Sequence, residues 1–219
     1  MAEHPTPIAT VDIVLMTVAD RALQVGLLRR AAEPFAGEWA LPGGFVHTVE
    51  DLDLAGAAAR VLRDKAGLVP RYLEQLSTEG GPARDPRGWS ISVAYYVLLD
   101  AGERDGAAAG LRWVATDALP PLPFDHAATV AAAVRRLRGK AAYSSLPAFL
   151  LPGAFTFAEL HGMYEQVMGT RLDPASFRRK IVEQGIIEAV AGGMRAGAHR
   201  PAQLYRLASG GNGVFDRRI

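Results

Sequence analysis

The chain has 219 residues, 49% of them hydrophobic and 21% charged, with a formal charge of 24 − 23 = +1. That profile supports a packed core divided into one large domain or two small ones, and it excludes a disordered chain or a globally basic nucleic-acid coat. With no cysteine, disulfide scaffolds, thiol nucleophiles and thiolate metal sites are excluded too. The opening MAEHPTPIATVD lacks a basic segment followed by an apolar run, and no stretch of about 18 uncharged apolar residues occurs. A cytoplasmic protein with no membrane partner is expected.

Val11–Val18 and Ala22–Arg29 are β-rich runs separated by Ala19-Asp20-Arg21, the pattern of a hairpin. Trp39–Val46 (WALPGGFV) reads as a third extended piece. A helix is predicted from Thr48 to Ala66, with Thr48 and Asp51 as a capping box and Gly67 at the left-handed position that ends it. Further strands are predicted at Tyr72–Ser77, at Ser90–Leu99 and in the run ending at Val114. Asp125 is the expected cap of a helix reaching Arg138, with Gly139 as its stop. Strands, one helix, strands, one helix predict an α+β sandwich of about 140 residues.

After KAAYSSLPA the pattern changes. Thr156 and Glu159 form a second capping box, and Phe157, Leu160, Tyr164 and Val167 follow at helical spacing before Gly169. Asp173-Pro174 starts another helix, which runs to Gly185. Ile186–Val190 and Gln203–Leu207 flank a Gly-rich turn and read as a hairpin. Helix, turn, helix, hairpin is the plan of a winged helix, so units are expected at 1–143 and 144–219. From Ser144 onward there are nine Lys and Arg against six Asp and Glu, leaving +3 there and −2 in the remainder.

LPGGFV, followed by a helix carrying Arg60-Val61-Leu62-Arg63-Asp64-Lys65-Ala66-Gly67-Leu68, resembles a Nudix box. The resemblance implies an α/β/α sandwich, and Arg60, Leu62, Gly67 and Leu68 fit the box. Its three acidic positions fall on Val61, Asp64 and Lys65, and Gly44 to Arg60 is two residues too long. In a Nudix hydrolase these positions concentrate carboxylates around Mg²⁺, which needs hard oxygen ligands. Here one carboxylate stands beside an ammonium and an isopropyl group. Counting a regular helix, Ala55, Ala58, Ala59, Leu62 and Ala66 form the apolar stripe and 61, 64 and 65 share a neighbouring face. Glu50, Asp51 and Asp53 are the upstream acids that could substitute as ligands. No metal site, no catalytic residue and no required cofactor are therefore expected.

RDPRGW (Arg84–Trp89) resembles the loop of Nudix enzymes that handle ADP-ribose-like compounds. Guanidinium forks suit a pyrophosphate. Arg84 and Arg87, with Arg29 and Arg30 from the second strand, are the expected ligand-binding cations. Phe35 and Trp39 are the expected stacking surfaces for adenine.

In the helix after Asp173, Phe177 and Ile181 should face the core, and about 100° per residue puts Arg179 nearly opposite. Ser176 lies beside it, with Arg178 and Lys180 on the flanks, as a recognition helix in a major groove requires. Arg195, His199 and Arg200 fall at the hairpin tip, where a wing contacts phosphates.

The combination resembles the Nudix-related transcriptional regulators of NAD metabolism, the NrtR family, over nearly all of residues 8–208. FRRK in the second helix and RPAQLYRL (Arg200–Leu207) in the hairpin carry the resemblance. It implies a homodimeric repressor on double-stranded operator DNA of NAD biosynthesis or salvage genes, with ADP-ribose or a related product as the small-molecule effector. Regulators of sugar utilisation share the architecture. The alternatives are an active ADP-ribose pyrophosphatase with an appended helical domain, or an interaction module that has lost both activities. The substituted box argues against the first, and the outward Arg179 against the second.

Overall fold

β1 (Ile8–Ala19) is the strand around which the N-terminal part is assembled. Its side chains alternate between faces with period two. Val11, Ile13 and Leu15 pack with Ala57, Ala58, Val61 and Leu62 on one side, and Val14 and Met16 pack with Val130, Ala133 and Leu137 on the other. The result is a sheet with a helix on each face. The computed structural model describes residues 6–196 and 201–208.

β2 (Ala22–Arg29) pairs antiparallel with β1, and Asp20 and Arg21, at φ 51° and 60°, form the two-residue turn between them. Two positive φ values match the twist of the flanking strands. The expected piece Trp39–Val46 is broken at Leu41-Pro42 into β3 (Trp39–Ala40), paired with β2, and β4 (Gly43–Phe45), paired with β1. β5 (Leu73–Asp85) and β6 (Gly88–Leu98) are antiparallel, and β6 runs parallel to β1. β7 (Leu111–Ala115) pairs with β2. The expected loop at Arg84–Trp89 is thus a tight turn, held where Asp85 accepts from the Arg87 backbone N–H at 2.9 Å.

The first helix begins later than expected. α1 (Leu54–Val61) is capped by Asp53, which accepts from Gly56 N at 2.7 Å, and not by Thr48. Asp51 instead accepts from His47 N and takes both guanidinium nitrogens of Arg60, at 2.7 and 2.8 Å. A π turn, Leu62–Ala66, continues α1 before Gly67 closes it at φ 66°. The buried stripe is Ala57, Ala58, Val61, Leu62 and Ala66, so Ala55 and Ala59 lie on the exposed side.

Two further differences concern helices. A short helix, α2 (Ala101–Asp105), follows a capping box made by Asp100 and Glu103. α3 (His126–Ala141) runs through Gly139, and Asp125 stands at its N-cap position without a side-chain cap bond, its carboxylate being taken by Arg84. Long-range guanidinium partners outbid local capping at both Asp51 and Asp125.

The stretch that reads as a connection is a buried 3₁₀ turn, Leu146–Leu150. Leu146, Ala148 and Leu150 join the same core cluster as Val130 and Leu137 before them and Leu160, Tyr164 and Phe177 after them. Each fully buried leucine is worth about 1.5–3 kcal/mol, so this is a fixed joint. Tyr164 donates to Ser144 O at 2.8 Å, and Arg71 donates to Leu151 O and pairs with Asp100.

The C-terminal part follows the expected plan. α4 (Phe157–Met168) carries the Thr156–Glu159 capping box, and α5 (Pro174–Glu183) is capped by Asp173 and followed by Gly185 at φ 62°. β9 (Ile187–Arg195) and β10 (Ala202–Leu207) form the hairpin. A two-residue strand that the sequence does not announce, β8 (Phe155–Thr156), pairs with β10 to give the order β8-β10-β9. This is a winged helix. Among the described residues no helix is long and apolar enough to cross a membrane.

Candidate functional site

A cavity of about 470 Å³ opens where the end of β2, the β3–β4 segment, the β5–β6 turn and the start of α3 converge. Lining it is Asp12, the lone charged residue of β1. Ser92 Oγ donates to it at 2.6 Å and Arg84 at 2.8 Å. Leu41 N–H donates to His126 Nδ1 at 3.1 Å, which assigns the ring proton to Nε2, 3.5 Å from Asp12. Burial works against the Asp12 charge, but His126, Ser92 and Arg84 outweigh it and hold the carboxyl well below the usual range. Gly43 lies directly over this group: a Cβ there would come within 2.2 Å of Asp12 Oδ1.

The wall is cationic. Arg29, Arg30, Lys65, Arg84 and Arg87 line the cavity against Asp12, Glu33 and Asp85, five positive charges to three negative. An excess of two complements a pyrophosphate diester, which carries one negative charge on each phosphate. Arg30 lies 4.9 Å over the ring of Phe124, and Arg87 5.1 Å over Phe45. Burial and repulsion from Arg87 push the Arg30 pKa down.

Of the expected ligand residues, Arg29, Arg30, Arg84 and Arg87 line the cavity. They differ in freedom. Arg84 forks onto Asp125 at 2.7 and 2.9 Å while also reaching Asp12, so its donors are committed to the protein. Arg87 is forked onto Asp85, and Arg29 donates to Gly37 O. Phe35 sits behind the wall, edge-on to Phe124 at 5.0 Å. Trp39 packs against the core with the Arg112 guanidinium 5.4 Å over its ring, outside the lining. The aromatic rings that do face the cavity are Phe45 and Phe124, which sequence reasoning missed together with Asp12 and His126. The one available signal was Asp12, an acid inside the run VDIVLM.

The second candidate surface is α5. Phe177 and Ile181 are buried, and Arg178 and Arg179 are exposed, with Ser176 and Lys180 half-buried. Arg179 donates to Ser176 Oγ at 3.5 Å. The guanidinium of Arg178 lies 4.7 Å over Phe157 and 3.4 Å from Tyr205 OH. Arg195 pairs with Glu159 and donates to Ala154 O, which ties the turn end of the hairpin to the start of α4. His199 and Arg200 lie outside the described residues.

Comparison with known proteins follows this division. A NUDIX domain matches residues 6–138, and an NrtR DNA-binding winged helix domain matches residues 147–207. The ADPR responsive transcriptional repressor NtrR of Acinetobacter baylyi is 39% identical over 212 residues, covering 94% of this chain and 84% of the relative. The chain belongs to the NrtR family. A crystal structure of Shewanella oneidensis NrtR with a 27mer DNA superposes at a TM-score of 0.89, with 36% identity over 96% of this chain and 99% of that one. The NUDIX domain of the same protein with ADP ribose is 36% identical over 61% of this chain and 90% of that one, at a TM-score of 0.55.

In this NrtR-family chain the Nudix box positions do not suit a divalent cation. Val61 is buried, with Gly44 packed against its side chain. Asp64 faces solvent, 3.6 Å from Arg63, and Lys65 donates its ammonium to Gly43 O. The upstream acids are occupied as well: Glu50 bonds His47, Asp51 clasps Arg60, and Asp53 caps α1. Among the described residues no three His, Asp or Glu side chains are grouped to hold a metal ion.

Proposed function

We propose that this protein is a homodimeric transcriptional repressor that binds operator DNA of NAD biosynthesis or salvage genes and is released from it by ADP-ribose or a related NAD-derived ligand. The observation that carries the reading is the cavity: two excess positive charges, aromatic rings at Phe45 and Phe124, and an opening large enough for a nucleotide. The DNA-bound and ADP-ribose-bound relatives support the two halves of the proposal. Residues 1–143 are the sensing unit and 144–219 the DNA-reading unit, and the buried joint at Leu146–Leu150 makes them answer to one another.

The mechanism is a preference for arrangement. A dimeric winged helix must present its two α5 helices about 34–36 Å apart, one turn of DNA, or a multiple of it. Because α4 shares the core of α3, this core is the route by which a change at the start of α3 would reach the winged helix as a change of tilt. A ligand shifts that tilt only by as much as it favours one arrangement over the other. Hydrolysis is not part of the proposed function, since among the described residues no carboxylate cluster is grouped to hold the metal that Nudix chemistry uses.

An electrophoretic shift with DNA upstream of the protein's own operon, with and without ADP-ribose, tests the reading. A shift that ADP-ribose reverses is expected. Turnover of ADP-ribose with Mg²⁺ at about 1 s⁻¹ or faster, in the ordinary enzyme range, would replace the repressor reading by the hydrolase one.

A further inference from the structure

The substituted Nudix box does more than lack ligands. Its last acidic position holds Lys65, and the turn that carries it is a π turn, Leu62–Ala66. Such a turn adds backbone to one coil of a helix, and it recurs at functional sites. Here Val61 stays in the core and Asp64 in solvent, while Lys65 reaches back to the cavity. Its ammonium donates to Gly43 O, on the strand that lies over Asp12.

We propose that Lys65 stands in for the metal: its ammonium is the cation that meets the ligand's pyrophosphate, so the pocket takes a nucleotide pyrophosphate without a divalent ion. An ammonium has three donors, and the carbonyl of Gly43 uses one. Two remain for phosphate oxygens. Desolvation of this ammonium and repulsion from Arg30 lower its pKa, with Asp12 pulling the other way, so an arriving anion relieves an existing repulsion. Among the cavity's other cations, Arg84 and Arg87 are already forked onto Asp125 and Asp85. Arg29 and Arg30 are each anchored to a backbone carbonyl, Gly37 O and Pro34 O, whereas Lys65 stands at the box position itself and is a compact point charge like the ion it replaces.

The inference rests on the reading that ADP-ribose is the ligand class, and calorimetry on the full chain separates the two. ADP-ribose is titrated into wild type, Lys65→Met, Lys65→Arg and Lys65→Glu, each in EDTA and in Mg²⁺. Wild type is expected to bind equally in both buffers, within about twofold. Lys65→Met should lose about tenfold or more in both, the scale of a charge-assisted hydrogen bond, and Lys65→Arg should retain most of the affinity. Lys65→Glu should bind weakly in EDTA and regain affinity with Mg²⁺. A wild type that needs Mg²⁺, or a Lys65→Met that binds as tightly as wild type, overturns the proposal. A wild type that binds ADP-ribose in neither buffer overturns the ligand class itself, and Lys65 with it.

Discussion

Replacing Arg84 by alanine removes the guanidinium that ties Asp12 to Asp125, and the structure fixes what that should cost. The Arg84 side chain is 9% exposed, Asp12 11% and Asp125 28%. Removing one partner of a buried ion pair costs about 3–5 kcal/mol, because a charge is left uncompensated. Asp125 can turn to water, and Asp12 keeps Ser92 and His126, so the low end applies, about 3 kcal/mol. For a chain of this size 1 kcal/mol moves the melting temperature by about 2–4 °C, which gives a loss of roughly 6–12 °C. Thermal and urea unfolding of the ligand-free protein measures it. Arg84→Lys should recover only part, since it keeps the charge but not the fork. Adding Asp12→Asn to Arg84→Ala should cost less than the sum of the two. The sequence suggested that Arg84 is a ligand for pyrophosphate. If Arg84→Ala melts like wild type and loses only ADP-ribose affinity, that suggestion is right and the strut described here is wrong.

Three further outcomes follow from the same reasoning. Arg179→Ala should cost roughly 1–3 kcal/mol of operator affinity and blur sequence preference, as measured by binding to operator and scrambled duplexes; unchanged affinity would show that α5 is not oriented as a reader. Asp51 titrates near 2, held there by Arg60 and against burial, so its clasp stabilises the fold fully above pH 4 and the benefit disappears as pH falls through 2. Acid unfolding of Asp51→Asn should therefore lose that part of the pH dependence, and an unaltered profile would remove the clasp from the account. Tyr164→Phe should destabilise the chain by about 1–3 kcal/mol in urea, because it strands the buried carbonyl of Ser144, and a change below about 0.5 kcal/mol would mean the joint is not clamped there.

Features set by neighbouring residues were legible in the sequence. The Thr156–Glu159 box, the Asp173-Pro174 start and the left-handed Gly67 and Gly185 all depend on contacts within a few positions, and all are present. The Thr48 box and a side-chain cap at Asp125 do not form for a reason local reading cannot see: Arg60 and Arg84, nine and 41 residues away from Asp51 and Asp125, claim the carboxylates. The apolar stripe of the first helix was misplaced because the count assumed regular turns from Thr48. The helix begins six residues later at Leu54 and widens at Leu62, so Val61 faces the core. In the cavity, the arginines were legible from their clustering. Phe45, Phe124, Asp12 and His126 were not, since β1, β4 and the start of α3 meet only after folding. Trp39 illustrates the converse, an aromatic close to the arginines in sequence that the sheet turns away from the cavity.

The central claim is that ligand and DNA report to each other through one core, and a reciprocal titration tests it most directly. Operator DNA is titrated by fluorescence anisotropy at zero and saturating ADP-ribose, and ADP-ribose is titrated by calorimetry with and without operator. ADP-ribose is expected to weaken operator binding by about 5–150-fold, equivalent to a coupling of about 1–3 kcal/mol, and operator must weaken ADP-ribose binding by the same factor. Overlapping DNA curves, with calorimetry showing that ADP-ribose is bound, would contradict the account.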